Sequence, residues 1–135
     1  MGTNFYLHTA VCPTCGRGEY RHIGKSSAGW VFALHVYPED DIHDLPDWER
    51  LWTQPGAVIK NEYGEVITPK EMKSRITERG RATWEDKPYG YSTWSLFHLD
   101  NGSMRGPKNL LRSKINGHVI GHGVGTWDLV VGDFS

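Results

Sequence analysis

Cys12-Pro13-Thr14-Cys15-Gly16 restricts the fold of this chain more than any other segment. Two thiols separated by two residues can face a single point only if the backbone between them makes one tight turn, and proline and glycine favour that turn. The residues before it, Asn4 to Thr9, alternate aromatic and polar side chains as a short strand does, so the chain passes from a strand into a knuckle. Beyond it, Tyr20 to Lys25 and Gly29 to Tyr37 read as two further strands around a hairpin turn at Ser26-Ser27-Ala28-Gly29. Period-two alternation in the second of these puts Trp30, Phe32, Leu34 and Val36 on one face and Val31, Ala33, His35 and Tyr37 on the other.

The spacing Cys12-x2-Cys15-x6-His22-x12-His35 points to a Cys2His2 site for Zn2+. His22 and His35 lie on the two strands that follow the knuckle and can return both imidazoles to it, while Gly16 and Gly18 ease the turn. Four protein ligands leave no open position, so such a site is closed and structural. A single C-x2-C is only half a site, and three other fates stand beside it: a redox dithiol, a local disulfide, or two ordinary thiols. A redox dithiol wants its second cysteine near a helix start, whereas Gly16-Arg17-Gly18 continues the loop, and a disulfide does not suit the cytosol. His8, one short loop before Cys12, is the strongest rival to His22 or His35. His98, His118 and His122 are further candidates, each with the ordinary alternative of a hydrogen-bonded imidazole.

The remainder predicts an α+β fold: a small single domain over residues 1–135, mostly antiparallel strands, with an N-terminal zinc knuckle and two short helices. Six tryptophans supply large apolar faces for a core. Asp44 is placed to cap a helix with Pro46 and Asp47 in its first turn, and Leu45, Trp48, Leu51 and Trp52 share one of its faces. Asn61-Glu62-Tyr63-Gly64 reads as a hairpin turn, and Thr68-Pro69-Lys70-Glu71 as a capping box opening a helix to about Arg79. Residues 80–106 lack a clean period and predict irregular structure with one strand near Trp94 to His98. Leu110 to Ile115, an Asn116-Gly117 turn, His118 to His122, and Trp127 to Val131 predict a hairpin and a final strand.

A formal net charge of -1 excludes a whole-protein field that attracts nucleic acid. The charges are nonetheless segregated. Glu39 to Glu49 carries six acids and no Lys or Arg, and Arg105, Lys108, Arg112 and Lys114 form a basic stretch. Gly24-Lys25-Ser26-Ser27 resembles the end of a phosphate-cradling loop, but position 19, where that motif needs glycine, is Glu. Lys25 and Ser26 remain candidates for a simple anion contact, together with Arg105, Lys108, Arg112 and Lys114. His118 and His122, four apart, with Asp128 following, form a candidate catalytic metal centre, against the plainer reading of a glycine-loosened hairpin. No run of about eighteen apolar residues and no secretory leader is present, which predicts a cytoplasmic chain with no membrane partner.

Met1-Gly-Thr-Asn-Phe-Tyr-Leu, Cys12-x2-Cys15-Gly16, His22-Ile-Gly-Lys-Ser-Ser-Ala-Gly-Trp30, Leu34-His35 and Gly125-Thr-Trp-Asp128 together resemble a family of small uncharacterised bacteriophage proteins. The resemblance implies a phage accessory or host-takeover protein acting in the host cytoplasm, and brings no catalytic residue with it. Two functions follow as expectations: a zinc-stabilised binding module directed at a host protein, a defence complex or nucleic acid, or a small metal-dependent hydrolase or nuclease centred on His118, His122 and Asp128. Binding is favoured over catalysis, because a closed zinc site has no room for substrate.

Overall fold

The computed structural model describes residues 2–9, 18–27, 32–78, 92–101, 103–104, 111–113, 127–132 and 134. Alternation in the first strand, β1 (Gly2–His8), turns Phe5 and Leu7 into the core and leaves Asn4, Tyr6 and His8 on the opposite face. β1 pairs antiparallel with β2 (Tyr20–Ser27), and the register shifts between Phe5↔Gly24 and Tyr6↔His22, so β2 carries one extra residue there. That bulge sends both Ile23 and Gly24 toward the core and returns Lys25, opposite Asn4, to the face that holds His22. Glycine is required at the bulge: a Cβ on Gly24 would lie 2.1 Å from the Ala33 carbonyl oxygen and 2.4 Å from the Phe32 ring.

β3 (Ala33–Val36) continues the sheet beside β2, and every one of its residues is buried. β4 (Val58–Asn61) extends the sheet beyond β1, and β5 (Val66–Ile67) pairs with β4. Two helices cover the apolar face. In α1 (Leu45–Trp52) the Asp44 carboxylate accepts from the Leu45 amide at the N-cap, and Leu45, Trp48 and Trp52 face inward. In α2 (Pro69–Thr77) the Thr68 hydroxyl accepts from the Glu71 amide, and Met72 and Ile76, one turn apart, are fully buried. Phe5, Leu7, Ile23, Phe32, Leu34, Ile59 and Ile67 from the strand side pack on these helices as one core. Burying each such side chain stabilises the fold by about 1.5–3 kcal/mol before entropy is counted.

The C-terminal elements are α3 (Trp94–Asn101), β6 (Ser103–Met104), β7 (Leu111–Arg112) and β8 (Asp128–Val131). β8 lies parallel between β3 and β7, which gives the strand order β5-β4-β1-β2-β3-β8-β7-β6 among the described residues. The α+β class holds, and five of the seven strand pairings are antiparallel. Two details differ from the sequence reading. β2 runs through Ser27, so Lys25, Ser26 and Ser27 are strand residues, and Ala28 and Gly29 lie outside the described residues. Trp94 to His98 belongs to a helix, a third one, in which the Thr93 hydroxyl accepts from the Leu96 amide and starts the first turn. The final strand, expected over Trp127 to Val131, is β8, and it joins the sheet in parallel beside β3. The knuckle at Cys12 and Cys15 lies outside the described residues, as do the Asn116-Gly117 turn and His118 to His122. No helix of the described residues is long and apolar enough to cross a membrane.

Candidate metal centre

Strand pairing carries His22 and His35 to the same place. His22 stands opposite Tyr6 on β2, and His35 stands on β3 next door, on the face of the sheet away from α1 and α2. Their Nδ1 atoms are 3.1 Å apart and their rings meet edge to face. His35 is buried at 3% exposure and His22 is half-buried. The Asn4 amide oxygen lies 2.7 Å from His22 Nε2 and can only accept, so in the neutral ring this contact puts the proton on Nε2 and the lone pair on Nδ1. Tyr37, stacked on His35 at 4.1 Å, donates its hydroxyl proton to the His22 carbonyl, and its oxygen lies 3.2 Å from His35 Nδ1. His35 Nδ1–H can therefore donate to both the His22 lone pair and the Tyr37 oxygen.

Phe134 packs on both imidazoles, with ring centroids 4.7 Å from His22 and 5.1 Å from His35. From the other side of the sheet, the Trp48 indole donates to the His35 carbonyl at 2.8 Å, which fixes β3 against α1 at the residue that matters. Arg21 lies over the Tyr37 ring and pairs with Asp40 at 2.6 Å, closing one flank of the cluster.

These groups suit a cation between the two Nδ1 atoms. Ligands of tetrahedral zinc at nitrogen distances of about 2.0–2.1 Å sit about 3.3–3.4 Å from one another, so the observed pair needs to open by only a few tenths of an ångström. A metal there would take the place of the proton that the two rings share. The described residues on either side of Cys12 and Cys15 lie at the same end of the sheet: His8 pairs with Tyr20, and the Thr9 amide donates to the Glu19 carbonyl. Cys12 follows Thr9, and Cys15 precedes Gly18, by three residues, a reach of about 10 Å when extended. Among the described residues alone, no group of three or more His, Cys, Asp or Glu gathers around one point.

The other expected site residues are dispersed. His8 stacks on Tyr20, at 5.6 Å, two register pairs further out than the Tyr6 and His22 rings. His98 is on α3 beside Phe97. Lys25 and Ser26 are half-buried and buried in β2, and Arg112 belongs to β7. Asp128, at 0% exposure on β8, faces no open surface; Arg105, Lys108, Lys114, His118 and His122 lie outside the described residues. The acidic stretch is partly neutralised from elsewhere in the chain, since Asp40 pairs with Arg21, Asp47 with Arg50 and Glu49 with Lys73. Asn4, Tyr37 and Phe134 are the members of the cluster that spacing rules do not single out, although Asn4, Tyr6 and His8 are the alternating polar positions of a strand next to the one bearing His22. No family model, no curated protein and no solved structure matches this chain.

Proposed function

We propose that this chain is a zinc-stabilised binding module, a phage accessory protein that engages a host protein, a defence complex or nucleic acid in the host cytoplasm. Cys12, Cys15, His22 and His35 hold the metal, and the surface it organises makes the contact. The observation that supports this most is the His22–His35 pair, with Nδ1 atoms 3.1 Å apart toward the end of the sheet where His8 pairs with Tyr20. Zinc bound by two thiolates and two imidazoles is coordinatively complete, so its contribution is to folding and not to turnover. Leu96 and Leu99, exposed one turn apart on α3, offer apolar contact area of the kind a partner covers. The alternative is a small metal-dependent hydrolase or nuclease with a His118, His122 and Asp128 centre, of which only Asp128, fully buried on β8, falls within the described residues.

Metal content and binding are tested separately. Elemental analysis of the purified protein is expected to return one zinc per chain, lost in His22→Ala and His35→Ala and retained in His8→Ala. Retention of zinc by both His22→Ala and His35→Ala would reject the ligand set. Affinity capture from host lysate is expected to return a saturable partner; no partner there, together with no nucleic-acid binding at low salt, would reject the module. Hydrolysis of DNA, RNA or nucleotides with added divalent metal would favour the enzyme instead.

A further inference from the structure

The geometry points to Asn4 as the positioning residue of this centre: its side-chain carbonyl selects the Nε2–H tautomer of His22 and so presents the Nδ1 lone pair to the metal. The metal half of this statement rests on the zinc reading above; the tautomer half stands without it. Neutral histidine exchanges its proton between two nitrogens, and only the unprotonated one can be a ligand. Which one that is depends on the hydrogen bond made by the other. At 2.7 Å the Asn4 Oδ1···His22 Nε2 contact is the shorter of the two ring-nitrogen contacts described for His22, the second being the 3.1 Å approach to His35. An acceptor on Nε2 directs the lone pair to Nδ1, and Nδ1 is the atom that faces His35.

Asn4 is itself fixed independently of its side chain. Its amide donates to the Glu62 carboxylate at 2.9 Å, its carbonyl accepts from the Glu62 amide at 2.9 Å, and its backbone lies in register with Lys25. Glu62 thus pins the strand on one side while β2 holds it on the other. The side chain, at 9% exposure, lies largely out of reach of the water that would otherwise compete for His22 Nε2. Replacing it leaves those backbone anchors in place and removes the acceptor on His22 Nε2.

Long-range proton–nitrogen correlation spectra of 15N-labelled, metal-free protein, at a pH where the imidazoles are neutral, read the tautomer directly. Wild type is expected to show His22 as Nε2–H; a predominantly Nδ1–H ring overturns the proposal with no variant needed. In Asn4→Leu the His22 signals are expected to move toward the Nδ1–H form, and zinc affinity, from competition with a chromophoric chelator, to fall by roughly 10–100-fold. Asn4→Asp restores an acceptor and is expected to keep both the tautomer and zinc affinity within a few-fold of wild type. An Asn4→Leu protein with unchanged tautomer and unchanged zinc affinity rejects the role. A wild type that shows Nε2–H but binds no zinc rejects the zinc reading and the metal half of the proposal, while the tautomer half stands.

Discussion

The two faces of the same strands are built on opposite terms. Under α1 and α2 the sheet presents Phe5, Leu7, Ile23, Phe32, Leu34 and Ile59, whose packing is non-directional and tolerant of small shifts. On the other face β1, β2 and β3 present Asn4, His22 and His35, joined with Tyr37, just past β3, by contacts of 2.7–3.2 Å. A buried polar cluster of this kind is stabilising only while each member is satisfied, so it is specific where the apolar face is forgiving. The Ile23–Gly24 bulge reconciles them, giving two consecutive residues of β2 to the core and keeping His22 and Lys25 on the polar side.

The largest effect that separates the faces is expected from the core. Trp48→Ala removes a fully buried indole and its bond to the His35 carbonyl, and should cost about 3–5 kcal/mol in urea unfolding. Because that bond reaches through the sheet, the variant should also weaken zinc binding; unchanged zinc affinity in a folded Trp48→Ala protein would show that the faces are independent. Next in size, His22→Ala or His35→Ala should lose the bound zinc, a greater loss of affinity than the roughly 10–100-fold expected when only an outer partner of a ligand is removed. Chelation should lower the melting temperature of wild type and leave that of either variant unmoved.

Tyr37→Phe deletes only a hydroxyl shared between the His22 carbonyl and His35 Nδ1, and should cost about 1 kcal/mol by denaturant unfolding. The smallest effect belongs to the helix on the apolar side. The His43 amide donates to Asp47, and with the nearby Arg50 it holds this carboxyl below the ordinary carboxylate range against the opposing effect of burial. Its contribution to stability is present above the unfolded-state value and is lost as pH falls through the folded one. Asp47→Asn should flatten that part of the acid limb of the stability curve and leave the polar face unaffected.

The helices that the sequence made legible are those with caps: Asp44 with Pro46, and Thr68 with Pro69 and Glu71, mark their starts chemically. α3 was hidden because its pattern is inverted. Leu96 and Leu99 face solvent while Asn101 is buried, its amide donating to the Phe97 carbonyl one turn earlier, so no apolar stripe betrays the period. His22 and His35 were legible as strand residues on the strands after the knuckle, and neighbouring strands place such residues side by side. Asn4 was not, because an amide in a strand has no spacing signature; only the register with β2 turns it into a partner of His22. The parallel β3–β8 pairing was equally silent, since nothing local in either strand encodes a partner so far along the chain.

That pairing has a consequence in time. β1, β2 and β3 meet through short connections, whereas β8 can join β3 only after on the order of a hundred further residues have been made, which at about 5–20 residues per second is roughly 5–20 seconds of synthesis. The two imidazoles are thus brought together early on a nascent chain, and Phe134, which packs on both, arrives with the segment after β8. Under the zinc reading proposed above, the ring nitrogens would be open to metal during that interval, before Phe134 packs on them.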